Sequence, residues 1–422
     1  MTTQRRIYKQ GNTMKKPTKK LMIFAMLASL ALFSIANATS FPLTLTDDDG
    51  ASLTLKTPPQ RIVVAGGLWP MPSVIIMLEN STDKIVYMPS AAKNALIHSF
   101  MAEIFPRIEK IPAGNSENIE ELLSYKPDLF ICHSSNKAIC AMMRKSGVPT
   151  LAISVSLWQY NSHKTLEGWL NLLAPVLDKE DKARKILAQV AKQENLAKNE
   201  NFAPQENLTA RQNLIAQNNP TSKENLTTKE NILSQNAKSS KPSPKPIESH
   251  TQLQKPRAIF IHTYASDEKL VVAGIFGKYL LESSGGIHAL DSLRSANTSI
   301  EEIYRLNPDI IYINNFSPLL PKQILQSKRW QGIKAVQHKR VYKLPLASYR
   351  PFAPSVDLPV LLAWLRAHNS EFVDSMGGAK GTIKQDYKIY AKEYYQEIFG
   401  LTLSQSQVEK IFTPQSKAGN LK

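Results

Sequence analysis

Residues 119–131 read IEELLSYKPDLFI, and residues 300–312 read IEEIYRLNPDIIY, so one pattern occurs twice in the chain. Both segments begin with Ile-Glu-Glu and carry Pro-Asp at the same spacing, and matched positions differ by 181 residues throughout. Proline cannot continue a helix and moves the residue before it out of the helical region, so each segment predicts a short helix followed by a strand. The repeat therefore indicates two lobes built on one plan.

Apolar runs around the two segments predict a parallel sheet in each lobe. The runs at 129–131 and 310–313 are continuous rather than alternating, which is typical of strands covered on both faces. Between helical stretches, the remaining strands are predicted at 61–65, 84–87, 150–155 and 257–262. This alternation of strands and helices indicates the α/β class.

Length and composition limit the class of protein. The chain has 422 residues, more than one ordinary core, and its 42% of hydrophobic residues exclude a wholly disordered protein. Two cysteines exclude a disulfide-dense scaffold and a cysteine-based zinc module. The sequence contains neither G-x-S-x-G nor H-E-x-x-H, and we expect no enzymatic activity.

Residues 1–38 have the composition of a secretory signal peptide. Seven basic residues and no acid are followed by an uncharged apolar run at 21–33 and by a small-x-small site that ends at Ala38. A membrane-spanning helix needs about 20 apolar residues, so this shorter run predicts export. Met14 is an alternative start. Cleavage near Ala38 lowers the formal net charge from +17 to +10, so we expect no nucleic-acid partner and a soluble, periplasmic mature protein.

The segment 197–255 differs in composition from the rest of the chain. It repeats Gln-Glu-Asn-Leu and Lys-Glu-Asn-Leu, contains one aromatic residue, Phe202, and has no valine. Such a tract cannot bury enough apolar surface to offset its ordering entropy, which predicts a disordered insertion. A partner-binding arm is the alternative. The predicted domains are a signal peptide at 1–38, an N-terminal lobe at 41–160, a connecting helical segment at 161–196, the insertion at 197–255, a C-terminal lobe at 256–400 and a tail at 401–422.

Two local patterns complete the outline. Leucines and threonines at 43–46 and 52–55 flank an Asp-Gly turn, which predicts a β-hairpin. Asp178 has the side chain of a helix N-cap, and apolar residues recur with helical spacing after it. The sequence therefore predicts a connecting helix from Lys179 to about Lys192.

These features resemble one known family. The Asp-Gly hairpin, the run PQRIVV at 59–64, the two Ile-Glu-Glu…Pro-Asp units and Gly285-Gly286 occur in the family's order. Together they resemble the periplasmic substrate-binding proteins of ABC importers for iron-siderophores, haem and vitamin B12, over 41–195 and 256–400. The resemblance implies two Rossmann-like lobes joined by a long connecting helix, with a ligand cleft between the lobes and little closure.

The resemblance also implies a function. It predicts a monomeric receptor that captures a metal chelate, such as an iron-siderophore, and delivers it to an ABC permease and its ATPase. No intrinsic cofactor is expected, because the chelate is the transported ligand. A nickel-chelate, haem or cobalamin receptor of the same fold is an alternative. So is a metal-storing or metal-sensing protein that is not coupled to a permease.

Two glutamates are the candidates for docking on the permease. The family presents one exposed glutamate from each lobe to arginines of the permease, and the motifs match these to Glu120 and Glu301. Both are predicted in the first turn of a helix, where the helix dipole favours an acid even without a partner. Glu121 and Glu302 are the neighbouring candidates.

Ligands of parallel α/β lobes lie outside the carboxyl ends of the strands, and the loops there hold aromatic and polar residues. The predicted cleft residues are Trp69, Ser90, His133, Trp158, His262, Tyr264, Asn315, Tyr349 and Arg350. Arg350 can pair with carboxylate or catecholate oxygens, and Tyr264 or Tyr349 can donate to a ligand or stack on it. Trp69 and Trp158 can instead seal the lobe interface.

Histidines and cysteines leave alternatives open. His98, His133 and His262 are the candidate metal ligands, and one of them can complete the shell of a bound chelate. Their spacing does not predict a metal cage built from the protein alone. Cys132 and Cys140, eight residues apart, predict either a disulfide or two buried thiols.

Overall fold

The computed structural model describes residues 40–200, 255–290, 295–375 and 385–419. The predicted signal peptide lies outside these residues, and so does the predicted insertion from residue 201 to residue 254. In the described part of the chain, no helix combines the length and apolarity needed to cross a membrane.

The N-terminal lobe begins with the predicted hairpin, in which β1 (Leu43–Thr46) pairs antiparallel with β2 (Ser52–Leu55). A parallel five-stranded sheet follows, in the order β5-β4-β3-β6-β7. Its strands are β3 (Ile62–Val64), β4 (Ile85–Pro89), β5 (Ala113–Gly114), β6 (Leu129–His133) and β7 (Thr150–Ile153). The helices of this lobe are α1 (Met71–Glu79), α2 (Ser90–His98), α3 (Met101–Ile104), α4 (Ile119–Ser124), α5 (Lys137–Lys145) and α6 (Ser162–Leu177).

The C-terminal lobe has a mixed sheet in the order β11-β9-β8-β12-β13, with β10 paired to β8. Its strands are β8 (Arg257–Ser266), β9 (Lys269–Val272), β10 (Ile287–His288), β11 (Ala296–Thr298), β12 (Ile310–Ile313) and β13 (Val341–Lys343). Strands β9 and β11 run antiparallel to their neighbours, whereas the sequence predicts a parallel sheet. The difference arises because the chain reverses direction at the short turn formed by Asp267 and Glu268, so that β9 pairs with β8 as a hairpin.

The remaining helices follow or precede this sheet in the chain. They are α7 (Glu180–Glu200), α8 (Gly277–Glu282), α9 (Ile300–Leu306), α10 (Pro321–Gln326), α11 (Lys334–Gln337), α12 (Leu358–Ser375), α13 (Tyr387–Phe399) and α14 (Gln405–Phe412). The predicted tail from residue 401 therefore contains a helix, and a short 3-10 turn follows it at Lys417–Gly419.

The Pro-Asp units have the same structural role in both lobes. The Asp128 carboxylate accepts hydrogen bonds from the N–H groups of Gln60 and Arg61, at 2.7 and 2.8 Å, just before β3. The Asp309 carboxylate accepts from the N–H of Arg257, at 2.9 Å, where β8 begins. Each aspartate thus fixes the start of the central strand of its sheet.

The two arginines at these strand starts also match. The Arg61 guanidinium donates to the carbonyl of Tyr125 at 2.6 Å, and the Arg257 guanidinium donates to the carbonyl of Leu306 at 3.2 Å. Tyr125 and Leu306 end the repeated helices α4 and α9, whose last carbonyls have no partner within the helix. The sequence repeat therefore encodes a repeated strand, helix and anchoring network.

Helix α7 extends further than predicted at its C-terminal end. It begins at Glu180, two residues after Asp178, which is the left-handed C-cap of α6, with φ 57° and its N–H directed to the carbonyls of Ala174 and Pro175. Helix α7 continues to Glu200 rather than ending near Lys192, so the first residues of the predicted insertion are helical. Seven of the nine residues at 192–200 are lysine, glutamate, glutamine, leucine or alanine, all good helix formers, which favours this continuation.

Helix α7 contacts both lobes. The Lys182 ammonium donates to the carbonyl of Leu78 in the N-terminal lobe at 2.7 Å, and the Glu194 carboxylate accepts from Tyr279 in the C-terminal lobe. One apolar cluster, which includes Leu68, Ile186 and Trp364, is continuous from the first sheet through α7 to α12. A large apolar interface opposes free movement between domains.

Candidate functional site

The carboxyl ends of β3, β4 and β5 surround a pocket of about 230 Å³. Gly66 and Gly67 follow β3 with φ of 65° and 89°, and a Cβ on Gly66 would lie 3.1 Å from Ile139. Only glycine adopts this backbone without strain, so the loop leaves open space rather than side chains. The pocket is lined by Ala65, Gly66, Gly67, Trp69, Pro89, Ala91, Gly114, Asn115, Ser116 and Glu117. Ser90, a predicted cleft residue, follows Pro89 directly and begins α2.

Phe316 joins this pocket to the C-terminal lobe. Its ring lies 6.1 Å from the ring of Trp69 and 5.3 Å from that of His262, measured between centroids. The Arg350 guanidinium lies 4.8 Å from the Phe316 ring centre, a cation–π distance. These four residues are called the Phe316 cluster below. Phe316 is absent from the predicted cleft residues. Its position as an aromatic residue just after β12 is the sequence feature that could have indicated it.

His262 is held as a neutral hydrogen-bond donor. The Asn314 side-chain oxygen accepts from the N–H of Phe316 at 3.3 Å, which orients the Asn314 amide nitrogen towards the His262 Nδ1, 2.8 Å away. Nδ1 is therefore the acceptor, and the proton is on Nε2. Burial lowers the pKa of His262, which favours the neutral ring. In this tautomer the imidazole can donate from Nε2 to a ligand oxygen.

Arg350 and Tyr349 are fully buried rather than exposed in a cleft. The Arg350 Nε donates to the carbonyl of Ala418 at 2.7 Å, Nη2 donates to the same oxygen, and Nη1 lies 3.4 Å from the Tyr349 hydroxyl. Burial lowers the pKa of Arg350 and raises that of Tyr349. Neither residue lines the pocket at the strand ends, and Arg350 approaches it through its contact with Phe316.

Asn315 supports the loop that carries Phe316. Its amide nitrogen donates to the carbonyls of Leu344 and Pro345, at 2.9 and 2.6 Å, and its side-chain oxygen has no hydrogen-bond partner among the described residues. The residue is almost fully buried. Its amide is thus committed to the backbone and its oxygen remains available as an acceptor.

Lys343 also anchors the loop that carries Phe316, a role that the sequence does not predict. Its ammonium donates to the carbonyls of Asn314 and Leu319, at 3.1 and 2.9 Å, and also to that of Ser317. Burial lowers the pKa of Lys343 to about 7. A lysine at the end of an apolar strand was the only sequence signal for this role.

Tyr264 lies away from His262, contrary to the prediction that both line the cleft. A β-bulge between Ile261 and Thr263 shifts the alternation of side chains, so Tyr264 packs with Ile261 in the outer cluster of the lobe. Its hydroxyl donates to Asp267 at 2.8 Å. Burial and, to a smaller extent, the hydrogen bond to Asp267 raise the pKa of Tyr264 to about 12.

The other predicted residues have local partners. The Trp158 ring lies on α6, where a Cβ on Gly168 would be 2.1 Å from it. His133 Nδ1 accepts from the N–H of Ser135 at 2.9 Å, and burial lowers the His133 pKa. His98 Nδ1 lies 2.8 Å from the Asn94 carbonyl. Over the described ranges, no three His, Cys, Asp or Glu side chains are grouped as metal ligands.

The cysteines form a disulfide between Cys132 at the end of β6 and Cys140 in α5, with 6.0 Å between their Cα atoms. The bond joins the strand that ends at His133 to the helix that follows it. It therefore fixes one wall of the N-terminal lobe close to the pocket glycine Gly66, whose Cβ position is 3.6 Å from Cys132.

Glu120 and Glu301 both lie exposed in the first turn of their helices. Asn118 caps α4 and accepts from the N–H of Glu120 at 2.9 Å. Glu301 lies 3.5 Å from Arg329, and a hydrogen bond with Ser299 lowers its pKa. The two carboxylates are thus presented alike by the helices, but that of Glu301 also has a neighbouring cation.

Residues 245–347 match the model of a periplasmic binding protein family. No curated protein matches the chain by sequence. The sequence match therefore covers the first part of the C-terminal lobe and includes the second Ile-Glu-Glu…Pro-Asp unit.

Solved structures share the fold over both lobes. A periplasmic solute-binding protein of Veillonella parvula has 22% identity and a TM-score of 0.64, covering 88% of this chain and 96% of that one. Helicobacter pylori CeuE, in complex with Ni-His, has 17% identity and a TM-score of 0.57, over 88% and 99%. Haemophilus influenzae MolA, bound to molybdate, has 17% identity and a TM-score of 0.58, over 86% and 99%. These findings confirm the α/β fold and the resemblance to periplasmic solute-binding proteins.

Proposed function

We propose, from this fold, that the chain is a periplasmic receptor that captures a metal chelate between its two lobes and delivers it to an ABC importer. The Phe316 cluster is the observation that carries this proposal. It joins Trp69 of one lobe to Phe316, His262 and Arg350 of the other, next to the open pocket at the strand ends. Such a site binds its ligand without bond chemistry.

The side chains favour a chelate over a bare metal ion. A bare cation needs several carboxylate, thiolate or imidazole ligands, and the described residues offer no such group. Aromatic faces, a neutral imidazole N–H and a guanidinium suit a bulky ligand with anionic oxygens. An iron-siderophore fits this description, and nickel chelates, haem and cobalamin are the alternatives. The fold also serves proteins solved with Ni-His and with molybdate.

A ligand panel tests the proposal. Calorimetric titration of the mature chain with a ferric tricatecholate, ferric citrate, nickel–histidine, haem and cobalamin should show saturable binding of one of them below about 1 μM. Phe316→Ala should weaken that binding by about tenfold or more, since it removes the ring shared by both lobes. Leu157→Ala, an exposed residue outside the Phe316 cluster, is the matched control. No binding of any of the five would contradict the proposal.

We further propose that Glu120 and Glu301 dock on the permease. Both are exposed acids at matched positions, so the two lobes present similar carboxylates. Glu120→Arg combined with Glu301→Arg should abolish chelate uptake in cells and leave chelate affinity unchanged. Glu121→Arg combined with Glu302→Arg is the control pair. Uptake that survives the first pair would contradict docking, and loss with the control pair alone would move the assignment by one residue.

Uptake also separates the receptor from its alternative. A metal-storing or metal-sensing protein would bind the chelate without a permease. Deletion of the gene would then leave radiolabelled chelate uptake unchanged, whereas a receptor predicts that uptake in metal-poor medium is lost.

A further inference from the structure

A segment after α14 contacts Arg350 of the Phe316 cluster through Ala418. Helix α14 is anchored on the C-terminal lobe, where Ile411 is fully buried and its carbonyl accepts from the N–H of Leu346 at 2.9 Å. After Pro414 the chain turns back, and its 3-10 turn contacts α2 of the N-terminal lobe. Residues 414–419 are called the C-terminal strap here. They lie across the boundary between the two lobes.

Few contacts hold the C-terminal strap. The Lys417 carbonyl lies 3.4 Å from the Asn94 amide nitrogen, and the Ala418 carbonyl accepts from Arg350. The Ala418 side chain is fully buried, whereas Lys417 is exposed. The Gln415 amide also donates to the Lys410 carbonyl of α14 at 3.4 Å. Among the described residues of the strap only Ala418 has a fully buried side chain, so the strap can separate while α14 stays in place.

Arg350 differs from Arg61 and Arg257, which also donate to backbone carbonyls, because its side chain is fully buried. Two nitrogens of Arg350 donate to the single neutral oxygen of Ala418. Within the described ranges, no carboxylate forms an ion pair with Arg350. A buried guanidinium is satisfied best by an anionic oxygen pair, which binds both edges of its fork. The Ala418 carbonyl therefore occupies the position that an anionic ligand oxygen would take.

We propose that the C-terminal strap is an intramolecular cover of the ligand site, displaced when an anionic chelate oxygen replaces the Ala418 carbonyl on Arg350. This inference rests on the proposed function. Arg350 stacks on Phe316, so an oxygen bound there is adjacent to the aromatic part of the site. A docked strap closes the site. The apparent affinity for the chelate is therefore the affinity of the open site multiplied by the fraction of molecules in which the site is open.

Removal of the cover tests the inference. A chain that ends at Thr413 lacks the whole C-terminal strap, and a chain that ends at Gly419 keeps it and is the matched control. Ala418→Trp in the full chain is a second variant, because the larger side chain cannot enter the space of a fully buried alanine. The probes are the ferric tricatecholate, ferric citrate, nickel–histidine, haem and cobalamin.

The chain that ends at Thr413 and Ala418→Trp should both bind the anionic probe about tenfold more tightly than the full chain and the Gly419 control. In the full chain, saturating probe should speed hydrogen exchange at 415–419. Adding Arg350→Gln should remove the gain.

Equal affinity of all four forms, with 415–419 still protected when the probe is bound, would overturn the cover and leave the proposed function standing. Tighter probe binding by the full chain than by the chain that ends at Thr413 would also overturn the cover and leave the proposed function standing, since the strap would then contribute to the ligand site. Absence of binding by every form would overturn the proposed function and this inference together.

Discussion

The amino ends of the two central strands are built alike, whereas their carboxyl ends are built differently. At the amino ends, Asp128 and Asp309 accept from strand N–H groups, and Arg61 and Arg257 donate to the last carbonyls of matching helices. The two aspartates differ by the 181 residues that separate the repeated units, and the two arginines by 196, yet both pairs have matching partners and belong to one repeated framework. A repeat at this edge of the sheet serves folding rather than recognition.

The carboxyl ends serve different purposes in the two lobes. The N-terminal lobe has glycines there, which leave an open pocket. The C-terminal lobe has buried polar side chains there, among them Lys343, Arg350 and Asp357, each with several hydrogen bonds. The comparison indicates that the first lobe supplies space for a ligand and the second supplies the charged and polar groups.

The largest expected effect on the free energy of unfolding comes from the buried hydrogen-bond network around Asp357 in the C-terminal lobe. The Asp357 carboxyl accepts from the hydroxyls of Tyr395 and Ser348, both at 2.7 Å, and from the N–H of Tyr349 at 3.1 Å. Asp357→Ala removes the acceptor of three buried donors, of which the Ser348 hydroxyl has a second partner, Ser73, and should lower the free energy of unfolding by about 3–5 kcal/mol. Urea denaturation measures the loss. Asp357→Asn, which keeps an acceptor, should cost less, and a loss below about 1 kcal/mol for alanine would contradict the account.

Lys343 should have the next largest effect. Lys343→Met removes the donor to three buried carbonyls and should lower the free energy of unfolding by about 2–3 kcal/mol. Burial lowers the folded-state pKa to about 7, below the ordinary value of 10.5, so the unfolded chain binds more protons between these pH values. The stability of the wild-type chain relative to Lys343→Met should therefore rise from pH 7 to pH 10. A flat or falling difference would contradict this sign.

The amino-end anchors should have smaller and similar effects. Asp128→Ala and Asp309→Ala each remove a carboxylate that accepts strand N–H groups, and each should cost about 1–2 kcal/mol by urea denaturation. Equal losses would support the repeated framework. If Asp128→Ala cost as much as Asp357→Ala, the proposed difference between the two edges of the sheet would be wrong.

The smallest effect concerns the junction of the lobes. His163 of α6 lies 3.2 Å from Glu194 of α7, which also accepts from Tyr279 of α8, and Lys164, Lys198 and Glu282 line the same pocket. The hydrogen bond with Glu194 raises the His163 pKa. The resulting stability is present below pH 6.5 and is lost as the pH rises through the folded-state pKa. His163→Gln should remove this pH dependence. The change in stability between pH 5.5 and pH 8 should be about 1 kcal/mol or less, measured by thermal unfolding at both pH values.

Local patterns made the framework predictable. The Asp-Gly hairpin and the strand at 310–313 lie where the sequence places them, because turn chemistry and continuous apolar runs act over a few residues. The antiparallel edge of the second sheet was missed, because β9 is defined by its pairing with β8 and β11 by its pairing with β9. The sequence did not predict that Asp178 ends α6 as its left-handed C-cap, because an aspartate suits an N-cap as well as this position.

The site was less predictable than the framework. Tyr264 lies on the other face of its strand through a β-bulge, which no periodic pattern reveals. Arg350 is buried by a segment 68 residues further along the chain, and Lys343 by carbonyls more than 20 residues before it. Such long-range partners are set by the assembled fold, so the sequence alone predicts the edge of the sheet that carries the site but not the orientation of each side chain.

The most direct test of the account is tryptophan fluorescence during titration with the chelate that binds in the ligand panel. The chain has five tryptophans, and only Trp69 belongs to the Phe316 cluster. The account predicts saturable quenching in the wild-type chain and in Trp158→Phe, and loss of most of that quenching in Trp69→Phe, at unchanged stoichiometry. Quenching that persists in Trp69→Phe and disappears in Trp158→Phe would place the ligand outside the Phe316 cluster and contradict the account.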